Sequence, residues 1–180
     1  TFYYVDHYYN QVRISTNGWI ELGSSTRTLS YSNFADLFST YEPNKTLAPW
    51  SADLAAYNYP VEYATIGSSP NRIFVVQWRD VNSPYFSQRF INFQVRLFET
   101  TNIIEFWYGS VSGSEAYEYA AFGIEDHIGG TGHFIDGPTG SNSVGTVGLN
   151  SYYNWPTVFY RFSPSPVKIL HPNGGEFFSI

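Results

Sequence analysis

The chain has 180 residues, no cysteine and no methionine, and 15 acidic against 9 basic side chains, for a formal net charge of −6. A chain of that length suits one domain that buries about 70% of its unfolded surface without a staple, and the missing cysteines exclude a disulfide framework and cysteine-ligated zinc. Scattered basic residues cannot displace a run of phosphate counterions, which excludes nucleic acid as a partner, and no run of about 18 apolar residues offers a membrane-inserting helix.

Aromatic residues make up 20% of the chain, including 16 Tyr and 15 Phe. Such side chains fit a pleated, half-buried surface, so low charge with high aromatic content predicts an all-β protein. A chain lacking methionine is also expected to be a processed piece of a longer precursor.

In chain order, Thr1 to Tyr9 is a first strand candidate. From Val12 to Leu22, Val12 and Ile14 alternate with Arg13 and Ser15, the period of a half-buried strand. Thr16-Asn17-Gly18 then turns the chain, because Asn-Gly tolerates positive φ, and Trp19, Ile20 and Leu22 carry it back as a hairpin. Arg27 to Ser39 is the one short helix candidate, with Asn33 as its cap. Asn44-Lys45-Thr46 fits the N-glycosylation pattern and predicts an exposed loop. In Leu47 to Leu54, Pro49 cannot donate to a sheet interior and is expected at a strand start or a sheet edge.

Val61 to Gly67 reads as a strand, and Arg72 to Trp78 as a central strand buried on both faces. Phe90 to Glu99 alternates strongly, Thr101-Asn102 turns it, and Ile103 to Tyr108 returns. Val111 to Glu118 reads as a loop and Tyr119 to Glu125 as a strand. Gly129 to Ser143 is a long excursion holding a short strand at His133 to Ile135, and Thr157 to Phe162 closes the fold. Strands punctuated by turns, with no helices between them, predict an antiparallel two-sheet β-sandwich, jelly-roll or immunoglobulin-like, with at most one short helix.

Ser15 to Trp19 followed after a gap by Leu47 to Leu54, then Pro70 to Trp78, Phe93-Gln94-Val95 and Ile104-Glu105-Phe106, resembles the nidogen-like extracellular β-sandwich module. The likeness is to versions found in large secreted bacterial surface proteins, and it spans roughly Thr1 to Phe162. It implies an extracellular adhesion or matrix module with no shared catalytic residues. The domain expected is therefore 1–162. Residues 163–166, Ser-Pro-Ser-Pro, form a stiff linker.

Residues 167–180 carry an apolar strand pattern in Val167, Ile169, Leu170, Phe177 and Phe178. Two readings of it stand: the start of a truncated immunoglobulin-like repeat, or an assembly strand donated to the edge of a neighbouring subunit. Head-to-tail donation that does not close would build a filament.

Three constellations invite chemistry. Glu125, Asp126, His127, His133 and Asp136 gather acidic and imidazole groups, but at no spacing with a mechanism behind it, and polar loop residues are the preferred account. Asp53, among small and apolar residues, needs a partner and could join Asp36 or Asp6 around calcium, the one cofactor considered; a single carboxylate bonding backbone N–H groups would need no ion. Tyr57, Tyr59, Tyr85, Tyr117, Tyr152, Tyr153 and Trp155 fall in loops or strand ends, where exposed rings could stack on a glycan. Trp19, Trp50, Trp78 and Trp107 are expected to fill the core instead.

With no nucleophile elbow and no phosphate loop, catalysis is not expected. The expectation is a secreted or cell-surface structural and adhesive module whose partners are neighbouring domains or identical subunits. The rivals are a carbohydrate-binding module of a secreted enzyme and a self-assembling filament subunit.

Overall fold

The computed structural model describes residues 1–25, 40–84, 89–113, 118–130, 134–136, 146–149 and 159–164, with the backbone alone at 118–119, 134–136 and 146–149. These hold thirteen strands: β1 (Phe2–Tyr4), β2 (His7–Tyr9), β3 (Val12–Ser15), β4 (Trp19–Leu22), β5 (Thr46–Ser51), β6 (Glu62–Ile66), β7 (Ile73–Val81), β8 (Phe90–Phe98), β9 (Ile104–Ser112), β10 (Glu118–Glu125), β11 (Phe134–Asp136), β12 (Thr146–Leu149) and β13 (Tyr160–Phe162). No helix occurs among the described residues, and the helix expected over Arg27 to Ser39 lies outside them.

The strands build the expected antiparallel sandwich. One sheet runs β11-β10-β5-β4-β3, with β12 sharing the outer flank of β10 beside β11; the facing five-stranded sheet runs β13-β9-β8-β7-β6. Trp50, Trp78, Phe93, Phe106 and Phe122 are fully buried between them. Trp78 stacks on Phe93 at 5.0 Å, and Phe122 meets Phe106 at 5.9 Å and Tyr160 at 5.0 Å. Side chains of this size each contribute roughly 1.5–3 kcal/mol on burial, so they dominate the core.

Thr1 to Tyr9 is a hairpin, not a single strand: Val5 and Asp6 take positive φ of 41° and 64° and fold β2 back on β1. It belongs to neither main sheet but ties into both. The Tyr3 N–H donates to Asn102 Oδ1 in the β8–β9 turn at 2.9 Å, and the Tyr4 hydroxyl donates to the Glu125 carbonyl on β10 at 2.8 Å. Phe2 and Tyr4 fill the core beneath it.

The hairpin of β3 and β4 forms as expected, Ser15 opposite Trp19, with Gly18 at φ 79° supplying the left-handed residue of a three-residue loop. Its tip docks on the Leu47 to Leu54 stretch. The Asn17 carbonyl accepts from Ala52 N at 3.1 Å, Asn17 Oδ1 accepts from Leu54 N at 3.1 Å, and Trp78 Nε1 donates to the Ser15 carbonyl at 2.9 Å.

Two expectations are corrected here. Pro49 lies neither at a strand start nor at an edge, but inside β5, which is flanked by β4 and β10. Ala121 pairs with Ser51 and Gly123 with Ala48, so β5 carries one extra residue at Pro49-Trp50. That bulge removes the ladder position where a missing N–H would matter, and the Pro49 carbonyl accepts from the Tyr108 hydroxyl at 2.7 Å.

The second concerns Arg72 to Trp78, which is buried on one face only. Val76 and Trp78 point into the sandwich, while Val75 and Gln77 are half-buried on an outer face with no second layer over it among the described residues. Smaller differences are the extension of β9 to Ser112, within the expected loop, and β12, which was not expected.

Candidate functional site

The outer face of the five-stranded sheet is where polar and aromatic groups converge. Strand register sets Glu62, Gln77, Gln94 and Trp107 in one transverse row across β6, β7, β8 and β9. The next row sets Val75, Arg96, Glu105 and Arg161 across β7, β8, β9 and β13. Period-2 alternation drives this arrangement, because Ile104, Phe106 and Tyr108 face inward and send Glu105 and Trp107 out.

Trp107 therefore is not a core residue, contrary to expectation: it is 36% exposed, whereas Trp19, Trp50 and Trp78 are buried. Arg96 reaches over its ring from β8, 4.1 Å from the centroid, and Phe159 stacks on it from the β13 flank at 4.9 Å. Trp107 Nε1 donates to Glu105 Oε2 at 2.7 Å, and the Arg161 guanidinium donates to Glu105 Oε1. Gln94 Nε2 donates to Gln77 Oε1 at 2.8 Å, and Arg96 Nε to Gln94 Oε1 at 2.9 Å. A groove of about 220 Å³ is lined by Gln77, Gln94, Arg96 and Trp107 but not by Glu105 or Arg161.

A second cavity, of about 250 Å³, opens between the sheets beside the β1–β2 hairpin, with Phe2, Tyr9, Leu22 and Phe74 among its walls. Its rim carries Arg72 and Glu99, joined by Arg72 Nε to Glu99 Oε2 at 2.9 Å and by the Arg72 backbone N–H to the same oxygen at 3.1 Å. Those hydrogen bonds hold the Glu99 carboxyl down at about 2.

Two of the tyrosines proposed as ligand contacts are described. Tyr57 is 71% exposed, and Tyr59 lies under the Arg79 guanidinium at 3.8 Å. Tyr63, which was not singled out, is 69% exposed on β6. Every residue of β6 is exposed, and among the described residues only β7 pairs with it, so β6 is an edge strand of the described sheet. Tyr85, Tyr117, Tyr152, Tyr153, Trp155, Asp36, Val167, Ile169, Leu170, Phe177 and Phe178 lie outside the described residues.

A family model described as NIDO related matches residues 1–164. The chain belongs to the NIDO-related family. No curated protein and no solved structure matches it.

The acidic groups of this NIDO-related module are set apart. Among the described residues no three His, Asp or Glu side chains come together as a metal site. Asp53 is half-buried, which raises its pKa, and Asp6 bonds the Tyr3 hydroxyl in the β1–β2 turn. Asp126 Oδ1 accepts from Ile128 N at 2.7 Å and Gly129 N at 3.1 Å, a loop-stabilising role. The His127 ring packs 4.8 Å from that of His7. His133 lies outside the described residues, and of Asp136 only the backbone is described.

Glu125 is fully buried, on the face of its sheet that also carries Glu21 and Thr46, and neither of its carboxylate oxygens has a hydrogen bond. Burial pushes its pKa up to about 9, with neighbouring Thr46, beyond strict hydrogen-bond geometry, and Lys45 pulling the other way. Glu21, also fully buried, has Arg13 Nε at 2.9 Å, Lys45 Nζ at 3.8 Å and the Ser25 hydroxyl at 3.2 Å.

Asn44 is not the exposed acceptor its pattern predicted. It is buried, with Nδ2 donating to the carbonyls of His127 at 3.3 Å and Ile128 at 3.0 Å, so the amide that glycosylation needs is already engaged.

Proposed function

We propose that this NIDO-related module is a non-catalytic structural and adhesive unit of a secreted or cell-surface protein, acting through contact surfaces. Membership of the family suggests an extracellular module. The observation that carries the reading is the β6 edge: five consecutive exposed residues, paired on one side only among the described residues, with Tyr63 and Ile66 exposed on the strand and Tyr57 exposed shortly before it. A free edge with large apolar side chains is a template for pairing with another chain. Its partners are neighbouring domains or identical subunits.

The free edge also favours a second reading, a self-assembling subunit in which an extended segment of one copy pairs with β6 of the next. Light scattering over a concentration series tests both on the full chain, on residues 1–164 and on a Tyr63→Lys, Ile66→Lys chain. Association abolished by the edge variant is expected. Polymers lost on removing residues 165–180 would select the filament reading, and association unchanged in the edge variant would remove β6 from either account. Turnover of a substrate by the purified chain would overturn the non-catalytic reading.

A further inference from the structure

We propose that Arg96, held over Trp107, anchors a binding site for a carboxylate-bearing glycan, a uronate-type polysaccharide, on the outer face of the five-stranded sheet. This names a ligand and a place independent of the β6 edge.

The argument begins with charge. Four described arginines have carboxylate partners: Arg13 with Glu21, Arg72 with Glu99, Arg79 with Glu62, and Arg161 with Glu105. Arg96 has none within ion-pair distance among the described residues. Its nearest acid by register is Glu105, directly across the ladder, yet one oxygen of Glu105 is engaged by Arg161 and the other by Trp107 Nε1. Two guanidiniums thus flank a single carboxylate, leaving one positive charge on this row of an otherwise acidic chain.

The guanidinium is also fixed in place. Its Cζ sits over the Trp107 ring, 4.1 Å from the centroid, and its Nε–H donates to Gln94 Oε1, two contacts that restrict its movement. Its terminal amino groups have no partner among the described residues. A planar fork held this way suits a carboxylate, which it can grip with two parallel hydrogen bonds at little entropic cost.

The surroundings select a sugar over an acidic peptide. Trp107 already carries Arg96 over its ring and Phe159 stacked on it, so the ring serves as a wall and not as an open stacking platform. Beside it, Gln77 accepts from Gln94 through Oε1 and keeps two N–H donors for hydroxyl groups. The groove, about 220 Å³, is smaller than the roughly 300–1,000 Å³ of pockets that enclose a small molecule. Its ligand lies across the sheet with one unit seated, as a polysaccharide does.

Titration calorimetry of the full chain with an oligogalacturonide, a neutral galacto-oligosaccharide of matched length and a poly-glutamate peptide tests this. The oligogalacturonide is expected to bind at least about tenfold more tightly than either comparator. Arg96→Gln should weaken it about tenfold or more, Arg96→Lys less, and Gln77→Ala measurably, whereas Arg72→Gln on the far cavity should leave it unchanged. The indole N–H signal of Trp107 should shift on binding. Equal binding of the neutral sugar, equal or tighter binding of poly-glutamate, loss in Arg72→Gln equal to that in Arg96→Gln, or no binding at all would overturn the proposal. Melting curves of each variant separate lost binding from lost fold.

Discussion

The backbone carbonyl oxygen of Trp50 stands 1.9 Å from where a Cβ on Gly18 would be. Tip and strand are thus in backbone contact, and the Val12 to Leu22 hairpin and the Leu47 to Leu54 stretch are one structural unit. Gly18→Ala must displace that carbonyl and also hold a side chain at φ 79°. The expected cost is on the order of 3–4 kcal/mol in urea denaturation. Gly23, at φ 83° with only a Tyr9 side chain 3.4 Å away, is the internal control; its alanine variant should cost about 1–2 kcal/mol. Equal costs would mean that the tip does not need its close approach.

Glu125 sets a pH dependence opposite to that of most carboxylates. Its folded pKa, raised to about 9 from the ordinary 4.5, means that the folded chain holds a proton the unfolded chain releases. The stability this contributes is full below 4.5 and is lost as pH rises toward 9. Glu125→Gln keeps the shape and removes the titration. It should raise the melting temperature by roughly 4–8 °C near pH 8, with the gain vanishing near pH 4. A gain independent of pH would show that Glu125 does not titrate across this window.

Glu99 works in the other direction. With Arg72 holding it at about 2, its contribution is present above 4.5 and is lost as pH falls through 2. Glu99→Gln should flatten the acid limb of the stability profile. The pair is solvent-accessible, so added salt should shrink the difference between the two proteins.

Tyr108→Phe removes one oxygen from the core and the hydrogen bond it gives the Pro49 carbonyl at the β5 bulge. A loss of about 1–2 kcal/mol is expected from equilibrium unfolding. Tyr57→Phe, on an exposed ring, should stay within about 0.5 kcal/mol.

Legibility in the sequence followed the range of the interactions. The β3–β4 hairpin and the β8–β9 pair were readable because alternation and Asn-containing turns are local signals. Pro49 was misplaced because a bulge is set by the partner strand, which the local sequence does not contain. Asn44 was misplaced because a three-residue pattern carries no information about the carbonyls of His127 and Ile128 that bury it. Trp107 had a usable signal: in Ile-Glu-Phe-Trp-Tyr, two-residue alternation sets the tryptophan beside Glu105 and away from Phe106. The size of the ring outweighed its parity. Arg96 and Gln77 were not readable as a site, because only sheet register brings them to Trp107.

The β1–β2 hairpin has a mechanical consequence. Among the described residues it is held by one hydrogen bond to each main sheet, by the packing of His7 on His127, and by the burial of Phe2 and Tyr4 with Tyr9 against the core. Tension applied at Thr1 loads those few contacts first and leaves the long ladders among β7, β8 and β9 at rest. Stretched from that end, the module should yield in a small, reversible extension as the hairpin peels away, before the sandwich ruptures. Such a step in a force–extension trace would make the hairpin the first element of the module to register tension.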